Sequence, residues 1–312
     1  MREFPFEMRL CARLESEGHL VSRQLGASIA GKRVIDTLLV EPGPQFDART
    51  RITPHSIPVR AIESDIGVGR ARRPARAFDC SPQHARSVAE RAAAVGFFEA
   101  ERRGGQRRYR QTARYPDWFG SLTGIENKPD LGRPGELELQ LRKDVSLSLL
   151  DEIILCTESY VTGAHLNRIP DEVGVWRFDP ETGDREVIRE PAPLAPGEPG
   201  IEVLEEHPGH TEIRPVTVAE KRTARLKLAE RAYGKGWRVP LACPHGEYRE
   251  IHGVGGVAYC PTRDRVVHPS EACAPGDPPE TDLDSFRAAH SQWVRDPAGV
   301  ARTQSGLDRF GE

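Results

Sequence analysis

The most constraining feature of the sequence is an aliphatic run, RVIDTLLV, over residues 33–40, which the turn residues EPGP end. β-Branched and aliphatic residues occupy both faces of its two-residue repeat. This pattern predicts a strand that is buried on both sides, as central strands of α/β sheets are. Asp36 lies in the middle of the run. A buried carboxylate costs free energy unless it is paired, so the fold must supply Asp36 with a partner.

A helix is predicted before this strand. Apolar residues recur at spacings of three and four from Phe4 to Leu14, which is typical of a helix over residues 3–17. Glu7 shares the apolar face of that helix. The sequence therefore places a second carboxylate where burial is costly without a partner.

A strand, a helix and another strand are predicted between residues 122 and 157. The run LTGIENK is typical of a strand and stops at Pro129, residues 136–150 repeat apolar positions every 3.6 residues, and EIILCT is a short buried strand. A strand, helix, strand unit of this kind forms a parallel pair. With the preceding helix and strand, it predicts an α/β core.

Glu126 and Lys128 are two residues apart in the first of these strands, so their side chains share a face, and Gly124 leaves space there for a ligand. With Asp36 from another strand, Glu126 could hold Mg²⁺ or Mn²⁺, and Lys128 could orient a water or stabilise phosphate charge. This is the chemistry of phosphodiester hydrolysis. The alternative is a structural ion pair between Asp36 and Lys128, with Glu7 paired to an Arg.

With Asp36 on one strand and Glu126-Asn127-Lys128 on the next, the sequence resembles the PD-(D/E)XK nuclease superfamily. The resemblance implies an α/β fold with a restriction-endonuclease-like αβββαβ core, and metal-dependent cleavage of DNA. It implies Mg²⁺ or Mn²⁺ bound by Asp36 and Glu126, with Lys128 as the water-orienting group. Glu7 of the first helix and Gln140 of the helix after Glu-x-Lys would support this site.

Two features depart from that superfamily. No Pro precedes Asp36, and about ninety residues separate the two motif strands, where a short hairpin is usual. The resemblance covers residues 3–178. The whole chain also resembles a family of haloarchaeal proteins.

The long insertion between the motif strands is basic, with 13 Arg against 6 acidic residues between Arg60 and Arg114. The run SPQHARSVAERAAAV has a Ser cap and a Pro at the first helical position, which predicts a helix over residues 81–95. A hairpin built on Gly104-Gly105 follows. Together, helix and hairpin resemble the recognition helix and wing of a winged-helix domain.

The predicted wing carries Arg side chains that could contact DNA phosphates without regard to sequence. These residues are Arg102, Arg103, Arg107, Arg108 and Arg110. The alternative is a solvated hairpin in which the Arg side chains pair with Glu99 and Glu101.

The third candidate site lies near the C-terminal end of the sequence. Cys243, His245, Cys260 and Cys273 could hold a zinc ion, and a metal would help a turn-rich region that is poor in apolar residues to fold. No Cys-x-x-Cys pair is present, so unliganded thiols on strands are the alternative. The scattered cysteines disfavour a disulfide framework.

These patterns predict four segments: a nuclease-like core over 1–50 and 116–180, a winged-helix-like insertion over 51–115, an acidic Pro- and Gly-rich linker over 181–215, and a Cys/His region with a tail over 216–312. No apolar run reaches the ~20 residues of a spanning helix, and the N-terminal residues lack a signal-peptide core. We therefore expect a cytoplasmic protein without a membrane partner.

The preferred function is a metal-dependent DNA endonuclease. The alternative is a DNA-binding regulator or adaptor that retains an inactive nuclease fold, and a third is an interaction scaffold whose Arg-rich hairpin pairs with its own acidic segment. The sequence leaves a monomer and a homodimer both open.

Overall fold

The computed structural model describes residues 2–52, 57–133, 135–291 and 293 of the 312-residue chain. Its helices are numbered in chain order: α1 (Glu3–Ser16), α2 (Phe46–Ile52), α3 (Val59–Ile62), α4 (Pro82–Ala94), α5 (Leu137–Leu147), α6 (Gly163–Leu166), α7 (Val218–Lys235) and α8 (Leu283–His290). None of these helices is long and apolar enough to cross a membrane.

The strands of the described residues belong to one large sheet and three small ones. They are β1 (Leu20–Gly26), β2 (Val34–Pro42), β3 (Phe98–Arg103), β4 (Gln106–Gln111), β5 (Phe119–Asn127), β6 (Glu152–Thr157), β7 (Gly174–Phe178), β8 (Arg185–Arg189), β9 (Gly200–His207), β10 (His210–Val216), β11 (Glu247–Ile251), β12 (Val254–Cys260) and β13 (Arg265–Val266).

The described residues form two compact units. The first comprises residues 2–41, 121–133 and 135–291, and the second comprises residues 42–52, 57–120 and 293. The second unit is therefore an insertion between β2 and β5, which are neighbours in the large sheet.

The first unit is built on a six-stranded mixed sheet with the order β1-β2-β5-β6-β7-β8. β1 pairs antiparallel with β2, while β5, β6 and β7 run parallel and β8 closes the edge antiparallel to β7. The predicted α/β class is confirmed, as is the parallel pair that α5 connects. Ile125 and Ile154 face each other in that pair and are fully buried, as the aliphatic runs predict.

Helix α1 is buried nearly all round, because apolar groups lie on two sides of it. Phe6 and Leu14 belong to one apolar cluster with Ile125 and Ile154 of the large sheet. The same cluster includes Val257 of the small sheet formed by β11, β12 and β13. The small C-terminal sheet therefore shares one core with α1.

The segment predicted to be an acidic linker, residues 181–215, instead contains strands. β8 pairs with β7, and β9 and β10 form an antiparallel hairpin. Most positions of this hairpin are exposed and many of them are charged. Its sequence therefore lacks the regular alternation of apolar and polar residues that predicts a half-buried strand. Residues 216–291, predicted as a separate region, belong to the first unit, where the Ser22 hydroxyl donates to Gly236 O at 2.9 Å.

The second unit contains the predicted helix and hairpin. The Ser81 side chain accepts a hydrogen bond from His84 N and begins α4, and Gly104 and Gly105 have φ values of 58° and 74° in the turn between β3 and β4. Val88 of α4 packs in an apolar cluster with Phe98 of β3.

The two ends of the second unit are joined by backbone hydrogen bonds. Gly43 N donates to Trp118 O at 2.6 Å, and Gln45 N donates to Asp117 O at 3.0 Å. A Cβ atom on Gly43 would lie 2.9 Å from backbone atoms of Trp118 and Phe119, so only glycine allows this approach.

Candidate active site

Asp36 and Glu126 lie on the neighbouring strands β2 and β5, close enough for their charges to interact. Asp36 is half-buried on β2, and its Oδ2 accepts from Asn127 N of β5 at 2.9 Å. Glu126 precedes Asn127 and is 5% exposed. The negative charge of Asp36 raises the pKa of Glu126.

Glu7 of α1 is linked to Asp36 through one amide group. The side-chain nitrogen of Gln24 lies 3.0 Å from Glu7 Oε1 and 3.1 Å from Asp36 Oδ1. Gln24 lies between two paired positions of the β1–β2 register, opposite Asp36. Arg23 donates to Glu7 Oε2 at 2.7 Å. The structure therefore places the two acids within reach of one donor, with Arg23 as the partner of the helix acid.

Arg33 and Asp144 extend the charged cluster, and the sequence patterns predict neither. Arg33, just before β2, donates to Glu126 Oε2 at 2.6 Å through Nη2. The same guanidinium makes three hydrogen bonds of 2.7–3.1 Å to the Asp144 carboxylate of α5. These side chains are at most 11% exposed. Two guanidiniums thus face four carboxylates in this cluster.

The carboxyl groups of the cluster hold protons more tightly than usual. Burial and, to a lesser extent, the charge of Asp36 raise the pKa of Glu126 from 4.5 to about 8, although Arg33 acts in the opposite direction. Burial likewise raises the pKa of Glu7 and of Asp36. Burial therefore outweighs the nearby Arg23 and Arg33 charges and favours the neutral form of these carboxyl groups.

Lys128 is the residue after the last one of β5. Its backbone N–H donates to Cys156 O of β6 at 2.9 Å, so the parallel ladder continues through it. The side chain is half-buried and makes no ion pair within the part of the chain that the structure describes. Asp36 accepts from Gln24 and Asn127 rather than from Lys128. Among the described residues, the Asp36–Lys128 ion pair of the structural alternative is therefore not formed, whereas its pairing of Glu7 with an Arg is formed through Arg23.

Gln140 lies on α5 and lines the same cleft as Asp36. The cleft has a volume of about 730 Å³ between the loop over residues 27–33, α5 and β9. Asp144, one turn after Gln140, is the α5 residue that reaches Arg33. Gln140 itself is half-buried and makes no side-chain hydrogen bond among the described residues.

The loop that borders the cleft binds a carboxylate of the chain itself. The backbone N–H groups of Ile29, Ala30 and Gly31 donate to Glu202 of β9 at 2.8–3.1 Å. Glu202 is 3% exposed. Successive amides of this kind form an anion-binding concavity. The β9–β10 hairpin, which lies in the segment predicted to be a linker, therefore forms one wall of the cleft.

The residues that could hold a divalent cation are Asp36 and Glu126. Within the described ranges, Glu7, Asp36 and Glu126 do not bring three ligand atoms within 4.8 Å of one another. Mg²⁺ commonly uses one or two carboxylates and keeps several waters, so a two-carboxylate arrangement suits its chemistry.

The basic hairpin presents its Arg residues unequally. Arg110 pairs with Glu99 at 2.7 Å, and Arg107 lies 3.4 Å from Glu90 of α4. Arg102 and Arg103 are exposed and make no ion pair in the described part of the chain. Self-pairing therefore accounts for some of the Arg residues only.

Like charges also face each other near the tip of this hairpin. Arg102 is directly opposite Arg107 in the β3–β4 register, and Arg108 is opposite Glu101. Two Arg residues at facing positions destabilise a hairpin unless an anion lies near them.

The structure brings together three of the four predicted zinc ligands. The Sγ atoms of Cys243, Cys260 and Cys273 all lie within 4.8 Å of one another. His245, the predicted fourth ligand, is exposed and is not part of this group. His245 lies in the tight turn that Gly246 N closes on Cys243 O.

A family model described as a family of unknown function, DUF5787, matches residues 20–279. The matched range contains Asp36, Glu126 and the three clustered cysteines, whereas Glu7 lies before it. No curated protein and no solved structure matches the chain.

Proposed function

We propose that this chain, which belongs to the DUF5787 family, cleaves phosphodiester bonds of DNA with Mg²⁺ or Mn²⁺ as the metal. One observation carries the proposal. Acids from α1, β2 and β5 lie in one largely buried cluster, and Lys128, which has no ion pair with any other described residue, follows directly after β5. Such a cluster is costly to bury, and strongly shifted carboxyl pKa values are typical of functional sites.

The order of elements around the cluster supports the same proposal. A helix and two strands precede the insertion, and a strand, a helix and a strand follow it. This is the αβββαβ order of the PD-(D/E)XK nucleases that the sequence resembles. Glu7, Asp36, Glu126 and Lys128 occupy the elements on which that superfamily carries its site residues.

In this proposal, Asp36 and Glu126 hold the metal ion, and Lys128 donates to the attacking water or to a phosphate oxygen. Gln24 fixes the carboxylates of Glu7 and Asp36 relative to each other through its two hydrogen bonds. The bound metal ion supplies Lewis-acid stabilisation of the developing charge on phosphate. Glu7 would support Asp36 through Gln24, and Gln140 would orient waters in the cleft that it lines.

The second unit would contribute affinity for the same polymer. The exposed Arg102 and Arg103 could each contact a phosphate, and such contacts do not depend on base sequence. With α4 and the β3–β4 hairpin, they correspond to the helix and wing of a winged-helix domain. DNA is therefore the proposed polymer.

One observation favours the second candidate, an adaptor with an inactive nuclease fold. The Arg33 guanidinium donates to Glu126 and thus competes with a metal ion for that carboxylate. The test is a cleavage assay on duplex, flap and single-stranded DNA with Mg²⁺ or Mn²⁺, with a chelator and Asp36→Asn as controls. Cleavage that needs the metal and Asp36 supports the nuclease. DNA binding without cleavage of any substrate supports the adaptor.

A further inference from the structure

Three thiols from distant parts of the sequence meet beside the small C-terminal sheet. Cys260 is the last residue of β12, Cys243 lies in the loop after α7, and Cys273 follows β13. Cys243 Sγ lies 4.0 Å from Cys260 Sγ and 2.9 Å from Cys273 Sγ. Cys243 and Cys260 are fully buried, and Cys273 is half-buried.

Apolar packing does not explain this cluster. Its other buried members are only Ala242 and Val267, so the thiols themselves form most of it. Three cysteines with two small aliphatic residues bury little hydrocarbon, and thiols are weak hydrogen-bonding groups. A shared ligand would account for their convergence.

The local backbone directs two of the thiols toward a common point. Cys243 O accepts from Gly246 N at 2.9 Å, and Cys260 O accepts from Arg263 N at 3.2 Å, so each cysteine begins a tight turn. A Cβ atom on Gly246 would lie 3.0 Å from Cys243 O, which leaves little room for another residue in the first turn. Arg263 also donates to Ala272 O at 2.9 Å, next to the third cysteine.

We propose that Cys243, Cys260 and Cys273 bind one zinc ion as three thiolates. Zinc–sulfur bonds of about 2.3 Å in tetrahedral geometry separate two sulfurs by about 3.8 Å. The Cys243–Cys260 distance of 4.0 Å is close to this value. The Cys243–Cys273 distance must open, and Cys273 lies outside the helices and strands, where such a shift costs least.

Binding converts each thiol to a thiolate and releases its proton to solvent as the zinc–sulfur bond forms. The three thiolates leave one tetrahedral position for water or an added ligand, since no further His, Cys, Asp or Glu of the described residues joins the group. Zinc is a borderline-soft cation and prefers thiolates over the oxygen ligands that hold Mg²⁺. The site is therefore chemically distinct from the acid cluster.

A zinc ion here would support the helix that carries Glu7. Cys260 ends β12, and Val257 of that strand shares a core with Phe6 and Leu14 of α1. The ion would fix both the end of β12 and the loop after β13. Its removal should therefore loosen the small sheet first.

The experiment is elemental analysis of full-length protein purified under reducing conditions without added metal. We expect about one zinc per chain in the wild type and in Cys80→Ser, whose half-buried thiol lies outside the cluster. Cys260→Ser and Cys273→Ser should each lose most of the zinc. Cys273 is half-buried, so Cys273→Ser should remain folded even if Cys260→Ser does not.

Two further measurements on the wild type need no variant. Cd²⁺ added to metal-free protein should produce thiolate-to-metal charge-transfer absorption in the ultraviolet. In the zinc-bound protein, three of the six cysteine thiols should become reactive toward a thiol reagent only after a chelator is added. Metal-free protein that takes up no zinc or Cd²⁺, or a Cys243–Cys273 disulfide in the reduced preparation, would overturn the proposal.

Discussion

The guanidinium of Arg33 lies 2.6 Å from the carboxylate of Glu126, so a proposed metal ligand already has a cationic partner within the chain. The same Arg33 nitrogen lies 2.7 Å from Asp144. All three side chains are almost fully buried. A divalent cation that binds Glu126 must therefore compete with this fixed charge or share the carboxylate with it.

Arg33→Ala should strongly destabilise the metal-free protein, because it leaves two buried carboxylates without their partner. We expect the free energy of unfolding to fall by about 3–5 kcal/mol. Arg142→Ala is the matched control, since the ion pairs that Arg142 forms among the described residues, with Glu138 of α5 and Glu206 of β9, are exposed, and their loss should cost under about 1 kcal/mol. Urea unfolding measures both. Equal losses in the two variants would contradict a buried ion-pair role for Arg33.

Lys128→Ala should lower metal-dependent DNA cleavage by roughly a hundredfold or more, because it removes the donor proposed to act on the water or the phosphate. DNA affinity should change little. Lys227→Ala on α7 is the control, because Lys227 is exposed and outside the acid cluster. Cleavage rates and binding isotherms are measured on the same substrate. Full activity of Lys128→Ala would remove this residue from the proposed mechanism.

Affinity for Mg²⁺ should rise with pH, because metal binding needs Glu126 as a carboxylate. The pKa of Glu126 is about 8 in the folded chain, so affinity should increase up to about tenfold per pH unit below that value and level off above it. Calorimetric titration at several pH values measures the affinity and the released protons. Glu136→Gln, at the border of the same cleft, should keep this dependence. A flat profile in the wild type would contradict the prediction.

Stability of the metal-free protein should show the opposite trend. The pKa of Glu126 is raised from 4.5 to about 8 on folding, so its contribution is fully present below pH 4.5 and is lost as pH rises to about 8. Glu126→Gln should flatten this fall, since it keeps the shape of the side chain without titrating. Urea unfolding at about pH 5 and about pH 9 tests this. The same decline in both proteins would assign it to other groups.

Arg102→Ala with Arg103→Ala should weaken DNA binding on all sequences and reduce the salt dependence of binding by about one unit of slope per lost phosphate contact. These two side chains have no ion-pair partner among the described residues. Arg110→Ala should have a smaller effect, because Arg110 already pairs with Glu99. Fluorescence anisotropy across salt concentrations distinguishes them. Equal effects of the double variant and Arg110→Ala would contradict the assignment.

Sequence patterns predict the elements that have strong local periodicity. α1, β2, α4, β5, α5 and β6 all agree within a few residues with the predicted segments. β1 is missed, although it supplies Arg23 and Gln24 to the acid cluster. Its alternation is interrupted because Gln24 has a positive φ of 50° and faces the carboxylates instead of the core.

The partners of the predicted acids could not be predicted, because tertiary structure sets them. Arg33 and Asp144 are 111 residues apart in sequence, and no local pattern couples them. In the sequence, nothing distinguishes Glu202 from the other acidic residues of a segment rich in Pro and Gly. Only the folded hairpin shows that it binds the amides of Ala30 and Gly31.

The hydrogen bonds that join Gly43 to Trp118 have a consequence for how such a chain can evolve. Because both ends of the inserted unit meet, loop-closure entropy depends only weakly on the number of residues between them. A gene could therefore lose, lengthen or exchange this module at small thermodynamic cost to the sheet that flanks it. Any replacement module would have to preserve the close backbone approach of Gly43 to Trp118 and Phe119.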